Sequence, residues 1–177
     1  LMAGEVIEKE QQDVAHQLAQ WVDDGAVIVN MALTNYDGLA EVVELAVLSV
    51  ADESLLLHSF YRPSVPVSSS GLAVHGYTDS LLADKPVISD DYERLRAFLA
   101  ERTVLFYSSL QLEANLRYTL DKHDLEPIEF KSINLEDVMK RYYDTNYNVS
   151  LNKASGLETS DNVLGDSFIV LAMINEI

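Results

Sequence analysis

Residues 27–63 read VIVNMALTNYDGLAEVVELAVLSVADESLLLHSFYRP, three short apolar segments separated by TNYDG and ADE. Each segment is rich in Val, Ile and Leu and has the length of a single strand. The separators contain Asn, Asp and Gly, which favour tight turns. The stretch therefore predicts a β-meander of three consecutive strands.

The rest of the chain alternates helical and strand patterns. Residues 89–100 begin with Ser and Asp as capping candidates and continue with apolar residues at helical spacing. Residues 103–109 form an apolar run typical of a fourth strand. Three more helices are expected at 111–122, near 135–143 and from about 162. This order predicts an α/β fold, a mixed sheet of three meander strands plus further strands, flanked by helices.

The N-terminal segment has its own amphipathic pattern. Val14, Leu18, Trp21 and Val22 lie on one helical face, and Gly25 ends the pattern. We expect residues 1–24 to form a helix packed on a single domain of residues 25–177.

Two further expectations concern burial. Residues 64–87 mix Pro, Ser and Gly with apolar residues and are expected to cross the sheet without regular structure. The apolar residues expected to be buried there are Leu72, Val74, Tyr77, Leu81 and Leu82. In the last helix, Leu164, Phe168 and Leu171 are expected to face inward, with Asp161 as the N-cap.

Composition narrows the function classes. The 29 acidic and 12 basic residues give a net charge of -17, which disfavours a surface that neutralises phosphates. The chain contains no Cys, which excludes disulfides and thiolate metal sites. No apolar run reaches the roughly 18 residues needed to span a bilayer, and the N-terminus lacks a signal pattern, so a soluble cytoplasmic protein is expected.

The segment HGYTDSLLADKP (75–86) matches a known turn, H-G-I-T-D/E followed by Pro. Its matching residues are His75, Gly76, Thr78, Asp79 and Pro86, with Tyr77 in the Ile position. Together with EVVELAVLSV (41–50), this segment resembles the DEDD-type (DnaQ-like) 3′-5′ exonucleases of the ribonuclease H-like fold. The group contains the proofreading subunit of bacterial DNA polymerase III. The resemblance covers roughly residues 15–175.

The catalytic positions depart from that family. Its first motif, D-x-E-T-T-G, carries two acids that help to hold a metal pair, and the equivalent residues here are Asn30 and Ala32. The second motif ends in F-D, and its acid aligns with Leu112. In the last motif, H-R-A-L-x-D, the His aligns with Asp161 and the final acid aligns with Asp166. The resemblance therefore implies a degenerate active site that keeps Asp166 alone. We expect an apolar or neutral cleft around Asn30, Ala32 and Leu112, with Asp166 alone near it.

Neighbouring acidic residues are weak substitutes for the missing metal-binding acids. Glu113 lies one residue beyond the family's position and is expected to point away from Asp166. Glu44 lies on a strand, where a structural or surface role is common. The turn residue His75 is expected to hydrogen-bond to the backbone. We therefore expect no cofactor, with Mg²⁺ or Mn²⁺ relevant only to residual exonuclease activity.

Three functions remain open. The first is a protein that has lost exonuclease activity and acts as a binding or accessory module in nucleic-acid metabolism, with a protein partner favoured over nucleic acid. The second is an active exonuclease with a non-standard metal site. The third is an acidic mimic of nucleic acid that binds a basic protein.

Overall fold

The computed structural model describes residues 3–107, 111–158 and 162–177. Its five strands are β1 Val27–Leu33, β2 Val42–Ser49, β3 Ser54–Phe60, β4 Thr103–Phe106 and β5 Lys131–Asn134. They form one sheet in the order β3-β2-β1-β4-β5. The pairs β1–β2 and β2–β3 are antiparallel, whereas β1–β4 and β4–β5 are parallel. The predicted meander and mixed sheet are confirmed.

Eight α-helices occur among the described residues. They are α1 Ala3–Asp23, α2 Ser69–His75, α3 Asp79–Leu82, α4 Tyr92–Leu99, α5 Leu112–Lys122, α6 Leu135–Tyr142, α7 Leu151–Ser155 and α8 Val163–Glu176. A 3-10 turn, Ile88–Asp91, leads into α4. The fold is thus α/β, with helices on both faces of the sheet.

The two faces of the sheet carry two separate cores, because successive strand residues point to opposite sides. Ile28, Ala46 and Leu105 belong to the core beneath α1, α6 and α8. Val29 and Val104 belong to the core beneath α4 and α5. In β2 every residue except Ser49 is buried, as expected for a central strand covered on both sides.

The N-terminal helix α1 is part of the first core. Val14, Leu18 and Trp21 are buried there, and α1 packs against α6. Gly25 follows the helix with φ +81°, a conformation that glycine adopts without steric cost.

Residues 64–87 are more regular and more exposed than expected. They contain the short helices α2 and α3, and Leu72, Val74 and Leu81 are 40%, 59% and 48% exposed. Of the five residues expected to be buried, only Leu82 is fully so. For Leu72 and Val74 the reason is that α2 packs through Gly71 against the Thr34 backbone just after β1, which turns these side chains outward.

The inward face of α8 also differs from expectation. Leu171 is buried as expected, but Phe168 is exposed and Leu164 is half-buried, while Ser167 and Val170 are buried. The side chain of Asn162 caps the helix by accepting from the Gly165 N–H at 2.7 Å. Asp161, the expected cap, lies outside the described residues.

Strand β5 was not predicted. Its sequence, KSIN, is short and mostly polar, and its residues are at most half-buried. No helix within residues 3–107, 111–158 and 162–177 is both long and apolar enough to cross a membrane.

Candidate active-site cleft

An open cleft lies at the end of β1, between α8 and the segment that contains α2 and α3. A cavity of about 490 Å³ here is lined by Asn30, Ala32, Glu44, His75 and Asp166, among others. A second cavity, of about 410 Å³, shares Asn30 and Asp166 and extends towards α6. The structure therefore brings together residues from β1, β2, α2 and α8.

Asn30 uses both ends of its amide. The Nδ2 group donates to the Val163 carbonyl oxygen at 3.2 Å, and Oδ1 accepts from the Met31 N–H at 2.9 Å. A carboxylate could not donate to a carbonyl oxygen, so the amide is what joins β1 directly to the start of α8. Asn30 acts here as a link between two elements.

Ala32 offers no ligand atom and is 3% exposed, within the core beneath α8. Its cross-strand partner in the antiparallel pair with β2 is Glu44. The side chain nearest to the missing second acid is therefore supplied by the neighbouring strand.

The expectation that Leu112 lines this cleft is wrong. Leu112 begins α5 and is buried on the opposite face of the sheet, beside Val29 and Met31. An apolar side chain gains free energy by turning into that core, which explains the placement. Glu113 is exposed on the same far side, where it accepts a 2.7 Å hydrogen bond from Ser132, so it points away from the cleft as expected.

Asp166 lies in the first turn of α8, is half-buried and lines both cavities. A carboxylate is favourable at this position because the helix N-terminus carries partial positive charge. The other candidate from the same motif, Asp161, falls outside the described residues.

The turn motif orders one wall of the cleft. His75 Nε2 lies 2.8 Å from the Leu33 carbonyl oxygen, while its Nδ1 accepts from the Tyr77 N–H at 2.9 Å. Since a carbonyl oxygen can only accept, these partners hold His75 as the neutral tautomer protonated at Nε2. Gly76 ends α2 at φ +72°, and the Thr78 hydroxyl accepts from the Leu81 N–H at the start of α3.

Glu44 is a buried polar residue of the cleft wall. Tyr77 donates from its hydroxyl to Oε1 at 2.8 Å, and His58 Nε2 lies 2.8 Å from Oε2. Burial, followed by the hydrogen bond and charge of Glu44, raises the pKa of the Tyr77 phenol. The expectation of an apolar or neutral cleft with Asp166 alone near it is wrong, because the β1–β2 register places Glu44 opposite Ala32 and on the same cavity.

Solved structures of exonucleases share this architecture. Exonuclease X in complex with 5′-overhanging duplex DNA aligns with a TM-score of 0.59 and 19% identity, over 85% of this chain and 89% of that one. The nuclease domain of 3′hExo, a DEDDh family member bound to rAMP, aligns with a TM-score of 0.62 and 15% identity, over 86% of this chain and 92% of that one. The chain has the fold of the DEDD-type 3′-5′ exonucleases. The zinc-bound complex of E. coli ExoI with single-stranded DNA aligns with a TM-score of 0.68 and 14% identity, over 85% of this chain and 39% of that one.

Sequence similarity to proteins of this exonuclease fold is low. No protein-family model matches the chain. An uncharacterized exonuclease, CP81, from Escherichia phage 186 is 21% identical over 96 residues. That match spans 54% of this chain and about half of the phage protein, 49%.

The residues of the cleft do not fit the metal pair that the DEDD-type resemblance implies. Asn30 has both amide ends engaged, Ala32 has no donor atom, and both oxygens of Glu44 are hydrogen-bonded. In the described part of the chain, no three His, Asp or Glu side chains are grouped so as to hold a metal ion. Where the resemblance implies two carboxylate ligands on β1, this chain has the amide of Asn30 and the methyl group of Ala32.

Proposed function

We propose that this chain has lost metal-dependent 3′-5′ exonuclease activity and acts as a binding or accessory module in nucleic-acid metabolism. The observation that carries the proposal is the engagement of Asn30 by Val163 and Met31. At the position of the family's first acid, a neutral amide takes part in packing of the fold.

The chemistry of phosphodiester hydrolysis supports this proposal. Two-metal hydrolysis requires divalent ions about 4 Å apart, one beside the attacking oxygen and one beside the leaving oxygen. Magnesium in such sites needs carboxylates and substrate phosphates as shared ligands. Asp166 and a hydrogen-bonded Glu44 supply too few carboxylate oxygens for a pair.

The surface around the cleft supports a protein partner. The exposed side chains of Leu72, Val74 and Leu81 lie on α2 and α3, and Val74 also lines the cleft. Exposed apolar residues beside a cleft are typical of protein contacts. The net charge of -17 weakens phosphate binding and favours a basic partner.

An active exonuclease with a non-standard site is the second candidate. The observation that favours it is the presence of Glu44 and Asp166 on one 490 Å³ cavity, with Glu44 opposite the missing acid. In this alternative, Glu44 would exchange its bonds to Tyr77 and His58 for metal ligation.

A cleavage assay separates the two candidates. Purified chain is incubated with end-labelled single-stranded DNA or RNA in excess Mg²⁺ and then in Mn²⁺, beside the Asp166→Ala and Glu44→Gln variants. The proposed function predicts that the wild type shortens the labelled strand no more than the two variants do. Cleavage by the wild type that disappears in Asp166→Ala would overturn it and establish a rebuilt site.

A further inference from the structure

The 410 Å³ cavity beside Asn30 combines acidic and apolar walls; we call it the Glu136 cavity. Its acidic residues are Glu136 of α6 and Asp166 of α8. Apolar side chains from Val149, Leu151 and Val170 also line it. Among the described residues that line the cavity, none is a lysine, an arginine or a histidine.

Within residues 3–107, 111–158 and 162–177, the carboxylate of Glu136 has no hydrogen-bond or ion-pair partner, although the residue is only 8% exposed. Its backbone N–H donates to Asn134 Oδ1, but no described residue forms a hydrogen bond or ion pair with its side chain. Every fully buried side-chain N or O atom among the described residues has a hydrogen-bond partner. The Glu136 oxygens therefore keep some accessible surface, and that surface faces the cavity.

The neighbouring phenol does not compensate this charge. The Tyr107 hydroxyl donates to the Val149 carbonyl oxygen, so it is not available to Glu136. Burial, followed by the charge of Glu136, raises the pKa of Tyr107. Glu136 lies in the first turn of α6, so only the partial positive charge of a helix N-terminus offsets its carboxylate. A nearly buried carboxylate without an ion-pair partner is still costly, and the negative field of the chain attracts cations to it.

We infer that the Glu136 cavity binds an organic cation, an alkylammonium or guanidinium group, with Glu136 as its ion-pair partner and Asp166 adding negative charge. The inference rests on the proposed function, since it assigns the ligand class of the same cleft. Either group can be charge-paired with a carboxylate while its methylene stem packs against the apolar walls. Mg²⁺ fits less well, because it demands an octahedral set of oxygens.

Two sources could supply this cation: a free polyamine, or a Lys or Arg side chain of a partner protein. Calorimetric titration of the full chain at low ionic strength, in separate arms, distinguishes them. The probes are putrescine, N-acetyl-lysinamide, N-acetyl-argininamide and MgCl₂. Putrescine binding without the capped residues indicates the polyamine, and binding of the capped residues indicates a protein side chain.

The matched variants are Glu136→Gln and Glu113→Gln. Both remove one carboxylate, but Glu113 is exposed on the opposite face of the sheet. We expect Glu136→Gln to weaken binding of the organic cation at least tenfold, and Glu113→Gln to leave it within twofold. A thermal melt of Glu136→Gln should show a fold about as stable as the wild type, because removing a nearly buried charge offsets the loss of its interaction with the N-terminus of α6.

Three results would overturn the inference: no organic cation binds the wild type, Glu136→Gln binds as tightly as the wild type, or both variants weaken binding equally. Binding of Mg²⁺ alone, lost in Glu136→Gln, would also overturn it. The cleavage assay stays independent. Asp166-dependent cleavage refutes the proposed function, whereas failed cation binding without cleavage refutes the inference alone.

Discussion

Restoring a carboxylate at position 30 should destabilise the protein. Asn30→Asp keeps the size of the side chain but removes the donor to the Val163 carbonyl oxygen, now 3.2 Å away. A lost hydrogen bond costs about 0.5–1.5 kcal/mol. The Val163 carbonyl oxygen and the new carboxylate would then face each other, partly buried and without a donor between them, which adds about 1–2 kcal/mol. We expect a total decrease of about 1.5–3.5 kcal/mol in the free energy of unfolding.

Urea unfolding at neutral pH measures this effect. The transition midpoint should fall with little change in the dependence of unfolding free energy on urea. Asn30→Ala removes the hydrogen bond without adding charge and should cost less than Asn30→Asp. Asn146→Asp, at an exposed loop residue, serves as a control and should change stability by less than about 0.5 kcal/mol. Asn30→Asp with wild-type stability would refute the role assigned to the amide.

Three further predictions concern the fold around the cleft. Gly71→Ala should cost about 1–3 kcal/mol, because a β-carbon there would lie 2.4 Å from the Thr34 carbonyl oxygen; an unchanged thermal midpoint would contradict this packing. Leu112→Ala should cost about 2–5 kcal/mol in urea unfolding as a core truncation, whereas a cost below 1 kcal/mol would return Leu112 to the cleft. Burial, and then the hydrogen bond and charge of Asp91, raise the pKa of Tyr61, so the folded state keeps a proton that the unfolded chain releases above about pH 10. Stability should therefore fall with rising alkaline pH, by at most about 1.4 kcal/mol per pH unit for this proton, and an equal slope in Tyr61→Phe would disprove the assignment.

The elements with strong periodicity could be predicted from the sequence. The three meander strands and the helices α4 to α6 carry apolar patterns that their own burial enforces. Strand β5 has no such pattern, because its four residues gain their place by pairing with β4. A strand defined by tertiary pairing gives little local signal.

The burial errors have a common physical origin. Leu72 and Val74 are apolar, but the packing of Gly71 on the Thr34 backbone decides which face of α2 is inward. In α8, the face that packs on the sheet contains Val163, Val170 and Ile174, which leaves Phe168 outside. Such close contacts between distant residues are not encoded in a hydrophobic pattern.

The candidate site could be predicted in part. A match of motifs locates Asn30, Ala32 and Asp166 at one cleft, because the first motif lies on β1 and the last motif lies at the start of α8. The roles of Glu44 and Glu136 depend on cross-strand register and on the absence of a nearby cation, which require coordinates. Leu112 shows that a substituted residue need not occupy the place of the residue it replaces.

Binding of Mn²⁺ tests the central claim most directly. Calorimetric titration of the wild-type chain is compared with the double variant Asn30→Asp, Ala32→Glu, which restores two family acids beside Asp166. The account predicts no saturable Mn²⁺ site in the wild type at concentrations up to about 1 mM, the weak end of protein cation sites. Two Mn²⁺ ions bound to the wild type, and lost in Asp166→Ala, would contradict it.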